Sequence, residues 1–285
     1  KIEQLPNPAD KASTQWVQDV MSQYPEESEE MAIVYGELPS MLTVKAGFEA
    51  AAEKEGLNLG ASISYPILGA DDWGPYADRV IESGATSVYW IGEPSNAASL
   101  QSKLAEKDWD GIVLHQTNNY DQVLFSAGDG SADMAVLRTA FHPFEERDEW
   151  PAVEQYLTML EDVPDAKIAA LGMQAMSSWL LFSVAANSCA DKNDGVIDRT
   201  CILEEAAAVD DWTAGGLHVP TDPGSGVPPE CGMLIGVVDE EFTRSYPELG
   251  GEGDDQDGFS CPPDSIADVD VSSLGEGKVD PDRPI

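Results

Sequence analysis

The chain has 285 residues, of which 42% are hydrophobic, so its length suits two domains and its composition a packed core. Fifteen Lys and Arg face 53 Asp and Glu, a formal net charge of -38. That sign excludes a nucleic-acid binder, which must release counterions from phosphates, and a protein that adheres to anionic lipid. A field of this sign mildly favours cationic or zwitterionic ligands, although salt screens it beyond about 8–10 Å.

Residues 11–24 read as a helix, because Trp16, Val17, Val20, Met21 and Tyr24 recur at helical spacing. The apolar run MAIVYGE (31–37) does not alternate and suits a strand covered on both faces. The pattern then repeats. A helix at 41–55 stops at Gly56, the strand ASISYPI (61–67) follows, and a helix at 74–83 stops at Gly84. Next come the strand TSVYWIG (86–92), a helix at 97–106 for which Asn96 is a suitable cap, the strand GIVLHQT (111–117) and the run MAVLRTAF (134–141). Helix and strand alternating at this cadence predict an α/β fold with a doubly wound parallel sheet. Loops leaving the carboxyl ends of such strands converge on one edge, where open α/β sheets bind ligands.

After Phe141 the cadence breaks. Helices are predicted at 151–161, opened by Pro151, at 168–187 and at 199–208, with short β-like pieces at 217–221 and 232–240. The segment from Gly250 is rich in Gly, Asp and Pro and reads as an irregular tail. The uncharged stretch Ile168–Ala186 is long enough to span a bilayer. Its Gln174, Ser177, Ser178 and Ser183, with many small residues, favour a helix buried between a sheet and its neighbours.

Four cysteines, Cys189, Cys201, Cys231 and Cys261, form no CxxC pair, and only three histidines exist, which argues against zinc. An even count in loop-like surroundings points to two disulfides and an oxidising compartment. Proximity favours Cys189–Cys201 and Cys231–Cys261, four free thiols being the alternative. No nucleotide-binding glycine motif, HExxH or GxSxG is present. The acidic stretches DKNDGVID (191–198) and DDQDG (254–258) lack the ligand spacing of a calcium loop and read as solvated loops. No cofactor, metal site or catalytic residue is predicted, and the chain reads as a binder rather than an enzyme.

The order of segments carries a resemblance. QWVQDVMSQYPEESEEMAIVYGELPSMLTVKAGFEAAAEKEGLNL, then SYPILGADDWGPYADRVIESGATSVYWIGEPSNAASLQSKLAEKDWDGIVLHQT, resembles the second lobe of type I periplasmic binding proteins of the Leu/Ile/Val-binding type. LGMQAMSSWLLFSVAAN is similar to the family's long helix after the chain returns to the first lobe, and DWTAGGLHVPTDPGSG to its late turn. The four-cysteine arrangement is similar to actinobacterial members. The resemblance implies two lobes joined by a hinge, with residues 1–142 as second lobe and 143–216 as the returning part of the first. Residues 217–249 are then the late hinge crossing and final strand, and 250–285 an acidic tail. Family members begin with a strand-rich first lobe, so a longer gene product is expected, with an export signal and that sheet before Lys1.

The resemblance also implies a function. The chain is expected to be the substrate-binding component of an ABC importer, a monomer located outside the cytoplasm, with a lipid anchor as one means of retention. It would bind a small polar metabolite, an amino acid, amide or related compound, by hinge closure, and present it to a membrane permease. The open alternatives are a hydrolase or transferase on the same sheet and a ligand-sensing ectodomain. On the second lobe the cleft is expected from three loops. The first carries Glu37, Leu38, Pro39 and Ser40, the second Glu93, Pro94 and Ser95, and the third Gln116, Thr117 and Asn118. Glu93 suits a ligand ammonium, while Ser40 and Ser95 are either ligand donors or plain helix caps. Gln174, early in the returning helix, completes the set. Amino-acid-binding relatives carry an acid on the third loop, and Gln116-Thr117-Asn118 has none, which argues against a simple α-amino acid ligand.

Overall fold

The computed structural model describes residues 10–66 and 68–272. Seven strands form one sheet: β2 (Met31–Gly36), β3 (Leu59–Tyr65), β4 (Ser87–Ile91), β5 (Ile112–His115), β6 (Ala135–Thr139), β7 (Met233–Val238) and β8 (Glu241–Tyr246). Their order is β3-β2-β4-β5-β6-β7-β8. The first five are parallel, while β7 and β8 add an antiparallel edge. A separate two-stranded ladder pairs β1 (Lys11–Ser13) with β9 (Ile266–Asp268). Ile67, the last residue of the predicted strand 61–67, and the end of the predicted tail lie outside the described residues.

The apolar runs lack alternation because helices cover both faces. From β2, Met31 and Ile33 turn to one side, with Trp16 and Val20 of α1 (Gln15–Gln23) and Phe48 and Ala52 of α2 (Pro39–Glu55). Ala32 and Val34 turn to the other, with Val80 of α3 (Gly74–Glu82) and Leu100 and Leu104 of α4 (Pro94–Ala105). Aromatic rings fill each layer. Trp16, Phe48 and Tyr89 stack with centroids 3.8–5.2 Å apart on the first side. Tyr65 stacks on Trp90 at 5.0 Å on the second. Pairs of this kind add about 0.5–1.5 kcal/mol beyond their buried area.

Several expectations are corrected. The predicted helix 11–24 begins only at Gln15, because residues 11–13 are drawn into the ladder with β9. Asn96 does not cap its helix: α4 starts two residues earlier, at Pro94, whose fixed φ suits a first helical position. The piece at 217–221 forms isolated bridges, Phe141 to His218 and Trp212 to Thr221, rather than a strand. The run 232–240 is the first arm of a hairpin. Asp239 and Glu240 both take positive φ, 53° and 61°, and turn the chain directly into β8. The tail is not wholly irregular, since β9 forms within it.

Beyond β6 the chain crosses to a helical unit: α5 (Pro151–Glu161), α6 (Ala170–Lys192) and α7 (Arg199–Ala207). The crossings pair with one another. His142 donates its amide to Leu217 O, Val219 to Ala140 O, and Ala170 to Tyr120 O. α6 is not buried all round, as its composition predicts. It buries Met173, Ser177, Leu181, Ala185 and Cys189 along one stripe, while Leu171, Trp179, Phe182 and Val184 on the other side face solvent, Trp179 being 68% exposed. The disulfides are Cys189–Cys201, fastening α6 to α7, and Cys231–Cys261, fastening the entry of β7 to the tail.

Candidate functional site

The sheet reverses its winding at β2. The chain passes through α2 to β3 on one side, then through α3 to β4 on the other. At such a switch point the loops after adjacent strands part and leave a crevice. Here that crevice is a cavity of about 320 Å³, lined by Ser40, Met41 and Val44 after β2, by Ile91, Gly92 and Glu93 at the end of β4, by Gln116, Thr117 and Asn118 after β5, and by Leu171 and Gln174 of α6.

Its floor is held by close packing. A Cβ on Gly92 would lie 1.7 Å from the Tyr65 hydroxyl, so only glycine lets the backbone pass. That hydroxyl donates to Ile91 O at 3.3 Å, and burial, then the nearby Glu93 charge, push its pKa well up, keeping it protonated. Asn118 Nδ2 donates to Gly92 O at 3.0 Å and Asn119 Nδ2 to the same oxygen at 3.3 Å, tying the third loop to the second. Thr117 Oγ1 donates to Arg138 O at 2.9 Å. Thr117 and Asn118 therefore shape the cavity, with the Thr117 hydroxyl and one N–H of the Asn118 amide already committed.

The remaining polar groups are free of such ties. Neither Ser40 nor Ser95 is a cap: α2 is capped by Leu38 and α4 by Glu93, with no side-chain hydrogen bond at either cap. α6 starts after Ala169, also without a side-chain cap. Three helices thus begin at the cavity with their first-turn amides unsatisfied by side chains, and helix starts carry partial positive charge. Against them stands one carboxylate, Glu93. The structure brings Ser40, Glu93, Gln116, Thr117, Asn118 and Gln174 to one wall or another of this cavity and leaves Pro94 and Ser95 outside its lining. Glu37 points away and accepts from Ser64 Oγ at 2.9 Å. Sequence reasoning misses the apolar lining of Met41, Val44, Ile91 and Leu171. Met41 and Val44 stand three apart on the helix that carries Ser40, and Leu171 lies three residues before Gln174, so helical spacing holds the signal once a polar anchor is chosen.

One buried contact resembles hydrolytic machinery. Ser177 Oγ lies 2.7 Å from His218 Nε2. Trp212 Nε1 donates to Ser177 Oγ at 3.0 Å, and His218 Nδ1 donates to Val219 O at 2.7 Å. No carboxylate orients the imidazole, Ser177 is fully buried, and burial lowers the His218 pKa to about 4. This neutral relay fastens α6 to the crossing segment; it has no access to a substrate.

A doubly wound sheet whose strand-end loops converge on a crevice that α6 closes from the far side defines a binding-protein architecture. The chain belongs to the periplasmic binding protein family, whose model matches residues 5–239. The family is made of solute-binding proteins that act outside the cytoplasm, and among the described residues no helix is long and apolar enough to cross a membrane. Solved structures share the fold. A leucine-binding protein of Thermotoga maritima superposes with a TM-score of 0.66 at 12% identity over 82% of this chain. A branched-chain amino acid ABC transporter protein of Thermus thermophilus, with bound valine, gives 0.67 at 10% over 82%. A fatty acid ABC transporter substrate-binding protein of Thermomonospora curvata gives 0.65 at 14% over 80%. The chain spans 64%, 63% and 59% of these proteins respectively. No curated protein matches it.

Proposed function

We propose that the chain is the substrate-binding component of an ABC importer and captures a small polar metabolite in the 320 Å³ cavity. One observation carries the reading: three loops spread along the chain from Ser40 to Asn118, with the start of α6, converge on a single open crevice at the switch point. Its size is that of a small-molecule site. Three helix starts favour an acceptor or anionic group on the ligand, and Glu93 favours a donor or ammonium. Met41, Val44 and Leu171 take its apolar portion. The ligand class is therefore zwitterionic or amide-like, with a short aliphatic part.

In this reading residues 143–216 belong to the opposite lobe. The solvent-facing row of Leu171, Trp179, Phe182 and Val184 supports it, since an apolar helix face of this extent calls for a covering layer. Closure of the two lobes would bury the ligand and create the form that a permease reads.

A thermal-shift screen of the full chain with metabolites tests the reading. A ligand at 100 times its Kd should add about 2.7 kcal/mol. Glu93→Gln should then weaken a cationic or zwitterionic ligand by about 1–3 kcal/mol, the scale of a charged hydrogen bond, and leave the melting midpoint in place. Unchanged affinity removes Glu93 from the site. Turnover of a bound compound, rather than its retention, would turn the assignment to an enzyme.

A further inference from the structure

Glu93 is the one charged side chain among the described residues that line the cavity. It caps α4 through its backbone: its carbonyl accepts from the Ala97 amide at 3.1 Å, and its side chain makes no hydrogen bond at the cap. The carboxylate therefore goes where the turn at residues 91–92 delivers it.

Three side chains brace that turn. Tyr65 donates to Ile91 O, and Asn118 and Asn119 both donate to Gly92 O, at 3.0 and 3.3 Å. Tyr65 and Asn118 have further work, since Tyr65 stacks on Trp90 and Asn118 lines the cavity. Asn119 is not part of the lining. It is fully buried, and its Oδ1 is shielded from solvent with no hydrogen-bond partner. An unpaired amide carbonyl in the interior works against the fold, and an apolar side chain of similar volume would not carry that cost. What the amide supplies instead is its donor: Nδ2 serves Gly92 O and, at 3.4 Å, Asn118 Oδ1.

Asn119 also stands at the junction with the opposite wall. Its backbone closes the 3-10 turn Thr117–Asn119 by donating to Gln116 O at 2.9 Å. The next carbonyl, Tyr120 O, accepts from the amide of Ala170, the first residue of α6, and Asp121 bridges Ala169 beside it. Gln174 lies about one turn further along α6, on the cavity. A run of hydrogen bonds thus links the turn that carries Glu93, through Asn119 and Tyr120, to the helix that carries Gln174.

We infer that Asn119 is a positioning residue of the ligand site: it holds the turn before Glu93 against the start of α6 and so fixes where the site meets a ligand's ammonium. The inference rests on the binding function proposed above. A group behind a site that locks its contact residues sets affinity without touching the ligand.

Calorimetric titration with leucinamide and with 4-methylpentanamide, which lacks only the ammonium, tests it. Asn119→Leu should weaken leucinamide about tenfold and leave 4-methylpentanamide unchanged. In a Glu93→Gln background the same substitution should have no further effect on leucinamide, because the two residues act as one unit. Amide hydrogen exchange gives a readout without ligand: Asn119→Leu should speed exchange at Ala97 and leave the amides of β2 and β6 as they were. Should Asn119→Leu fail to fold, Asn119→Ser, too short to reach Gly92 O, should show the same pattern. Equal weakening of both probes, a loss that persists beside Glu93→Gln, or unchanged exchange at Ala97 each overturns the inference while the binding function stands. If the parent chain binds neither probe, the proposed ligand class falls and this inference with it.

Discussion

Asp19 sits on α1 with almost no solvent exposure, accepting hydrogen bonds from Gln15 Nε2 and, at 2.9 Å, from Ser260 Oγ. Burial is the largest influence on it, and Asp255 adds to it; together they raise its pKa from 3.8 to about 7. The folded form thus holds a proton that the unfolded chain releases, so Asp19 stabilises the fold below about pH 4 and loses that contribution as pH rises through 7. The total is at most about 4 kcal/mol, from 1.36 kcal/mol per pKa unit. His115 and His142 act in the opposite sense. Burial lowers each to about 3, so their contribution is present above 6.5 and is lost as pH falls toward 3. Asp19→Asn isolates the first effect: it should match the parent chain near pH 4 and exceed it in unfolding free energy at pH 8. Denaturant titration at the two pH values measures this, and a variant less stable at pH 8 refutes it.

The Cys231–Cys261 bond closes a 30-residue separation between the entry of β7 and the tail, and Gly232 and Ser260 pair beside it. Replacing both cysteines by alanine should cost about 2–4 kcal/mol, most of it through the freed unfolded chain. Protease cleavage after residue 261 should accelerate with it; unchanged stability on chemical denaturation would deny the tail a structural role. At this scale the core elements were legible in the sequence for local reasons. The runs MAIVYG and SVYWI can only be strands covered twice, and Gly56 and Gly84 end helices with positive φ. β8 was not legible, because EFTRSY buries only Phe242 and its turn is made by Asp239 and Glu240, without the glycine that normally marks one. β1 and β9 are three residues each and exist through a contact spanning most of the chain. Of the candidate cavity, the polar lining at strand ends was legible because a parallel sheet sends such residues to one edge. Leu171 and Val44 become legible only once Gln174 and Ser40 are taken as anchors, since they share a helix with them at helical spacing.

The molecule as a whole carries a formal net charge of -38, with 53 Asp and Glu against 15 Lys and Arg. Self-repulsion of this size opposes the compact state and is screened by salt. The unfolding midpoint should therefore climb as ionic strength rises from about 0.01 to 1 M, where the screening length falls from about 30 to 3 Å. Different monovalent cations should serve alike, and a midpoint insensitive to ionic strength would contradict the picture. The ladder of β1 and β9 has a mechanical meaning as well. Its antiparallel register, Lys11 against Asp268 and Ser13 against Ile266, brings the outward-leading ends of the two strands to the same side. Tension applied through residues 10 and 269 loads that ladder as a zipper, one hydrogen bond at a time, and not in shear. Peeling of the tail then halts at Cys261, whose covalent link to Cys231 passes the load to β7, an inner strand of the central sheet. The fold thus yields first at a small, reversible fastening, and the crevice at the ends of β2, β4 and β5 is spared.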